Sequence, residues 1–337
     1  MASVDTFITV AGTSIDSIFG ISASSIDQIN GIPLVLDTSR GCFGGGKDAS
    51  YTYRDTIDYI AIATTGNATD FGDLTEGRRA LAGLSSSTRG CFGGGTNTTY
   101  ARTNTIDYIT IASTGNATNF GDLTTLRHHA AGLSSSTRGC FGGGEYTSVY
   151  NIIEYITIAT TGDATDFGDL TEAKVGLAAC SSSTRGCFAG GDAYVAPTWY
   201  VTNVIEYITI ATTGNATDFG DLTEAIQHIA GLSSSTRGCF GGGVGSVYLT
   251  LNVINYITIA TTGNATDFGD LTEVRSGLAA CSSSERGCFA GGGDSSVYDI
   301  IAYITIASTG NASNFGDLTV SRKELAGLSN AHGGLSS

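Results

Sequence analysis

The sequence Arg-Gly-Cys-Phe sets a guanidinium, a thiol and a small residue side by side, followed by a glycine run, and it occurs six times, at Arg40–Phe43, Arg89–Phe92, Arg138–Phe141, Arg185–Phe188, Arg237–Phe240 and Arg286–Phe289. Thiols at such spacing hold no four-ligand cluster. Each copy supplies one cysteine and no Cys-x2-Cys occurs, so zinc is not expected. The repeat cysteine reads instead as a small buried apolar residue. Cys180 and Cys281 stand where other copies carry Leu84, Leu133 and Leu232, which marks a core position. Each precedes a repeat cysteine across a turn, so Cys180–Cys187 and Cys281–Cys288 are spaced to bridge in an oxidising setting. The triple glycines are followed by no Lys-Ser/Thr and no helix pattern, which excludes a nucleotide loop. They suit close approach of backbones. The arginine that opens each copy is expected to pair with Asp58-type or Asp73-type carboxylates.

Other oxygen and nitrogen ligands are equally repetitive. Asn67-Ala68-Thr69-Asp70-Phe71-Gly72-Asp73 spaces oxygen side chains as calcium ligands require, but without the EF-hand pattern, and Asx residues are ordinary turn formers. The four histidines, His128, His129, His228 and His332, build no repeated Ser-His-Asp or metal set. No cofactor is expected.

These residues sit on a fixed period. The arginine-to-arginine spacings are 49, 49, 47, 52 and 49, which marks a repeat architecture. One unit contains four strand-like pieces: Leu84–Ser87, Arg89–Gly94, Thr105–Ala112, rich in β-branched and aromatic residues, and Asn119–Thr124. Thr114-Gly115-Asn116-Ala117 reads as a hairpin turn between the third and fourth. Four short antiparallel strands per unit of this length match a propeller blade. No 3.6-residue period supports a helical solenoid.

At these residues the chain resembles kelch-type propellers. The double glycine is Gly93-Gly94 and its equivalents, the tyrosine is Tyr108, and the later aromatic is Phe120 where kelch has Trp. The resemblance covers residues 34–330 and implies an all-β, six-bladed kelch-like β-propeller of four-stranded antiparallel blades. The longer Tyr-to-Phe spacing implies a longer third–fourth hairpin. Residues 1–33 stand outside the repeats as an N-terminal arm. They carry an echo of their own, Ser14-Ile15-Asp16-Ser17-Ile18-Phe19-Gly20-Ile21 against Ser25-Ile26-Asp27-Gln28-Ile29-Asn30-Gly31-Ile32. Residues 34–337 form the propeller, and Pro33–Ser39 aligns with the first strand of later units. Leu325–Asn330 begins a further copy, so residues 325–337 either close the first blade in place of 34–38 or continue as a tail.

Where the copies differ is informative. The loops after the second strand read 47–55, 96–104, 145–151, 192–203, 244–252 and 293–299. They hold Tyr51, Tyr53, Arg54, Tyr100, Arg102, Tyr146, Tyr150, Tyr194, Trp199, Tyr200, Tyr248 and Tyr298, including the chain's one Trp. Links between units hold Arg78, Arg79, Arg127, His128, Lys174, His228, Arg275, Arg322 and Lys323. Propeller geometry puts both sets on one face, where aromatics and scarce positive charge would form a recognition surface for protein or glycan.

Composition narrows the partners. The net charge is −15, with only three lysines, which argues against nucleic acid and anionic membrane. No apolar run reaches about 18 residues, so no spanning helix and no membrane insertion are expected. The start, Met-Ala-Ser-Val-Asp, lacks a basic-then-apolar pattern, so no secretory leader is expected and synthesis is placed in the cytoplasm. The repeat wording, Ile-Asp-Tyr-Ile-Thr-Ile-Ala and Asn-Ala-Thr-Asp-Phe-Gly-Asp-Leu-Thr, is similar to repeats of phage virion structural proteins, tail-fibre proteins included. That resemblance implies a non-enzymatic virion component of tail fibre, baseplate or capsid decoration. Residues 1–33 would attach to other virion proteins, and the propeller would meet a host-surface glycan or protein, with homo-oligomers within the particle. The rival classes are a carbohydrate-active or oxidase-type enzyme on a propeller scaffold and an intracellular kelch-type scaffold.

Overall fold

The computed structural model describes residues 38–335 and, before them, the backbone of four two-residue strands. Ser17–Ile18 pairs with Ile21–Ser22, and Gln28–Ile29 with Ile32–Pro33, so the N-terminal echo returns as two equivalent antiparallel ladders. The rest of the expected arm lies outside the described residues. The chain divides into two compact units, Met1–Thr38 and Ser39–Ser337, a boundary slightly later than the repeats imply.

The second unit is all-β. It contains six four-stranded antiparallel sheets, consistent with a β-propeller-like fold. In the sheet ordered Ala82–Ser85, Arg89–Gly93, Thr105–Thr110, Thr118–Asp122, Cys91 faces Leu84 on one side and Tyr108 on the other. A bulge in the fourth strand, opposite Ile106 and Asp107, leaves Phe120 as the extra residue. The strand Ala326–Ser329 pairs with Arg40–Gly44, which begins the first complete repeat. The C-terminal copy is therefore the first strand of that sheet, not a tail. Residues 34–37, expected in that place, lie outside the described residues.

The third–fourth connection departs from a tight Gly-Asn hairpin. Strands end at Thr110 and resume at Thr118, and the intervening tip leaves its own sheet. The Gly115 and Ala117 amides donate to the Phe71 and Asp73 carbonyls of the preceding sheet's outer strand, and Asn116 Oδ1 accepts from the Asp73 amide. The loop is long because it must reach a neighbour.

Burial explains the conserved wording within each copy. The second strand is buried along most of its length, since it packs on sheets at both sides. The Phe92 ring lies 2.8 Å from where a Cβ on Gly44 would stand, and the Leu84 methyls lie 2.4 Å from a Cβ on Gly139. The glycines thus open sockets for the neighbouring sheet's large side chains. Each of the six apolar clusters, such as Cys42, Ile57, Phe71, Phe92 and Ile109, draws on two successive sheets, and one of them joins the last sheet to the first.

Three hydrogen-bond circuits run through all six sheets. The hydroxyls of Ser85, Ser134, Ser181, Ser233, Ser282 and Ser329 each donate to the preceding serine's carbonyl at 2.6–2.8 Å, and Ser85 donates to Ser329. At the other end of these strands the amides of Ala80, His129, Gly176, His228, Gly277 and Glu324 form a second cycle. All six residues there have positive φ, between 53° and 67°. The third circuit corrects the expected role of the repeat arginine. Arg40 stacks on Tyr59 at 4.4 Å, and its Nη1 donates to the Ile111 carbonyl of the next sheet. Arg89, Arg138, Arg185, Arg237 and Arg286 repeat this, the last reaching back to Ile62. Among the described residues no carboxylate lies within ion-pairing distance of these guanidiniums. The aromatic face and a carbonyl supply the negative partner instead.

All eight cysteines are free and buried, Cys180 opposite Cys187 and Cys281 opposite Cys288. Burial pushes the thiol of Cys91 up to about 12, so it is inert.

The sockets predict an asymmetry. Ala189 and Ala290 already occupy the position of Gly93 in two sheets. Gly93→Ala should therefore cost little, whereas Gly139→Ala, driven into Leu84, should cost about 1–3 kcal/mol. Urea unfolding of the two variants measures the difference.

Candidate recognition surface

Every loop after a second strand is tied by backbone to the link that precedes its sheet. Thr96–Asn97 pairs with Arg78–Arg79, Asp192–Val195 with Lys174–Val175, and Val244–Gly245 with Ile226–Gln227. Single bridges do the same at Lys47 with Lys323, His128 with Glu145, and Ser276 with Gly293. The loops and links therefore share one end of the sheets, as the sequence pattern implies.

Their side chains divide in a way that the sequence did not suggest. Among the described residues, every large apolar side chain that is exposed lies in these loops and links: Tyr51, Tyr100, Leu126, Tyr146, Tyr194, Val195, Trp199, Tyr200, Val247, Tyr248, Leu249 and Val274. Tyr53, by contrast, is buried against the ring of Tyr100 at 5.4 Å, with Arg79 over its face. Tyr150, Tyr298 and Arg102 are half-buried, and Arg54 is spent on Asp48 at 2.5 Å. Burial pushes the Asp48 carboxyl up, but the Thr52 amide and Arg54 outweigh it and hold it below the usual range.

Tyr51, Tyr100 and Tyr248 are equivalent tips, 71%, 67% and 78% exposed, and all three are left-handed with φ of 62°, 65° and 60°. The loops impose this. Asp48 Oδ1 accepts from the Ser50 and Thr52 amides, and Asn97 Oδ1 from those of Thr99 and Ala101. A bulky residue in this region is strained, and the tips gain little burial in return, Tyr100 through its edge contact with Tyr53. The fourth sheet uses a hairpin, Asp192–Val195 with Thr198–Val201, turning at a cis Ala196-Pro197 bond. Tyr194 and Trp199 face each other at 5.1 Å, and the Tyr200 hydroxyl donates to Glu172 at 2.6 Å, a bond that raises Tyr200 to about 12. Val247 and Leu249, exposed on either side of the expected Tyr248, were missed by reading aromatics alone, and three consecutive apolar residues in a loop were the available signal.

The expected positive charge is not on this surface. Arg78, Arg127, Lys174, Arg275 and Arg322 are fully buried. Arg78 meets Asp107 at 2.6 Å, Arg127 meets Glu154 at 2.9 Å, Lys174 meets Glu206 at 2.6 Å and Arg322 meets Asp58 at 2.9 Å, each carboxylate coming from the following sheet. So the Asp58-type carboxylates have cationic partners, but these are the link residues and not the repeat arginines. What cationic character the surface keeps comes from the half-buried Lys47, Arg54, Arg79, Arg102 and Lys323. Lys47 reaches Glu324 at 2.9 Å, and Arg79 contacts the same carboxylate.

Two concavities open at this end. A groove of about 370 Å³ between the loops of the first and last sheets is lined by Lys47, Asp48, Tyr51, Asp294, Val297 and Lys323. A smaller one of about 90 Å³ lies inside the left-handed backbone ring, with His129, His228 and Glu324 around it. Burial pulls both histidines below their ordinary value. Among the described residues no three His, Cys, Asp or Glu are arranged to hold a metal ion.

Comparison with protein-family models finds no match, and no curated protein matches the chain either.

If the strained tyrosines serve contact and not packing, Tyr51→Gly and Tyr248→Gly should leave stability unchanged or raise it by up to about 1 kcal/mol as the left-handed strain is relieved, whereas Tyr100→Gly also uncovers Tyr53 and should gain less. Thermal unfolding measures this; a clear loss of stability would assign the tyrosines to packing.

Proposed function

We propose that the second unit is a six-bladed kelch-like propeller closed by Ala326–Ser329, and that it acts without catalysis as a display module of a phage virion. The three circuits and the apolar cluster joining the last sheet to the first support closure. Residues 1–33 are proposed to attach the module to other virion proteins. The loop-and-link end is proposed to contact a host-surface glycan or protein.

One observation carries the recognition reading: the large exposed apolar side chains of the described residues are confined to one end of the sheets. Monomeric surfaces scatter such residues singly, and a concentration of them marks a contact surface. Tyr and Trp also suit contact because they offer large area with few rotatable bonds. The opposite end repeats Ser, Thr and Asn almost unchanged, so it presents the same chemistry six times and offers little basis for discriminating a ligand.

The test has two parts. Mass spectrometry of purified particles should find the chain, and a truncation lacking residues 1–33 should be lost from particles while the propeller still folds. On a glycan array or with extracted host-surface protein, Trp199→Ala with Tyr200→Ala should weaken binding at least about tenfold, the level expected of central aromatic anchors. A chain absent from particles sinks the virion assignment. Unchanged binding removes these two residues from the surface.

A further inference from the structure

The buried cations just described form a series with an internal control. In each sheet interface a link residue faces the third strand of the next sheet, two residues into that strand. Four interfaces hold a cation and a carboxylate: Arg78 with Asp107, Arg127 with Glu154, Lys174 with Glu206, and Arg322 with Asp58. A fifth is neutral on both sides, with Ile226 in the cation's place and Asn255 in the carboxylate's. The sixth alone is unbalanced. Arg275 is fully buried, and the residue opposite Phe289, where Asp107 stands opposite Phe92, is Ala302.

The remaining donors of the site are also left over. In the four charged interfaces and the neutral one, the threonine three residues before the link residue donates its amide to the carboxylate or amide oxygen, as Thr75 does to Asp107 and Thr223 to Asn255. The equivalent Thr272 has no such acceptor, because Ala302 offers none. Arg275 Nη1 is held by the Gly291 and Ile300 carbonyls and Nη2 has only the Phe289 carbonyl at 3.4 Å; Nε has no partner, as in Arg78, Arg127 and Arg322, so the difference lies at Nη2. Glu273, on the surface, and the Tyr298 hydroxyl are the groups whose charge bears on Arg275, and burial still pulls it down to about 10. An uncompensated buried charge is strongly unfavourable.

We propose that the Arg275 interface binds a small monovalent anion of chloride size, held between the Arg275 guanidinium and the Thr272 amide in the position that a carboxyl group takes in four other interfaces. Thr272 is exposed, so the amide end of the site lies at the protein surface.

Thermal unfolding of the full chain, in sodium chloride against sodium gluconate at matched ionic strength, tests this. The wild type should gain stability with chloride in a saturable way, on the order of 2 °C at tenfold over the dissociation constant. Ala302→Asp should unfold higher without chloride and lose the dependence. Arg275→Ile, which copies the neutral interface, should lose it too. Bromide in crystals should give an anomalous peak within hydrogen-bond reach of Arg275. Equal chloride response in wild type and both variants, or no bromide peak beside Arg275, overturns the proposal.

Discussion

None of the six four-stranded sheets of the second unit buries its own faces; each depends on its neighbours for a core. The second strand carries Phe92 into a socket made by Gly44 of one neighbour while Gly93 makes the socket for Phe141 of the other. Gly90 does the same on the opposite face for Leu328. A single repeat would expose both sets of rings and methyls and could not be stable alone. The constraint explains why Arg-Gly-Cys-Phe is unchanged in all six copies: the arginine, its glycine and the phenylalanine each meet a residue of another copy, while the position after the phenylalanine also accepts Ala, at Ala189 and Ala290.

Polar groups obey the same rule. The arginine's carbonyl partner, the serine hydroxyl's carbonyl, the Asx cap of the outer strand and the buried carboxylate all belong to a neighbouring sheet. Satisfying a polar group across an interface costs no flat apolar contact area, and it fixes the register between sheets that hydrophobic burial alone leaves free to slide. The neutral Ile226 and Asn255 pair shows that charge is dispensable there provided both sides lose it together. Truncating one partner alone leaves the penalty in place.

This neighbour-dependence also sets what was legible in the sequence. The strands are local patterns that were readable within one copy, and the period and the variable loops were readable by aligning the copies end to end. The repeat arginine's role was not, because its acceptor lies on the next copy, near Ile111 for Arg40 and Ile158 for Arg89. Link cations such as Arg78 were read as surface charge because they sit in irregular segments, and only their partner on the following sheet reveals the burial. Comparing copies offered a signal in five of the six interfaces: Arg faces Asp or Glu, Lys faces Glu, and Ile faces Asn. The length of the third–fourth loop was inferred from Tyr-to-Phe spacing, but its purpose, a bond to the preceding outer strand, required the fold.

The same logic locates freedom to vary. Loops after the second strand are attached to the links mainly through main-chain bonds, as in Thr96–Asn97 with Arg78–Arg79. Main-chain attachment places no demand on side-chain identity, so Tyr100, Tyr248 and the Tyr194–Trp199 pair sit on supports that hold whatever side chain is present. Tyr53 marks the limit of that freedom, since its ring is enclosed by Tyr100 and Arg79. A scaffold whose interfaces are invariant and whose loop attachments are sequence-blind can change its surface without losing its core. Diversity would then accumulate at one end of the proposed propeller, which is where the exposed apolar side chains are found.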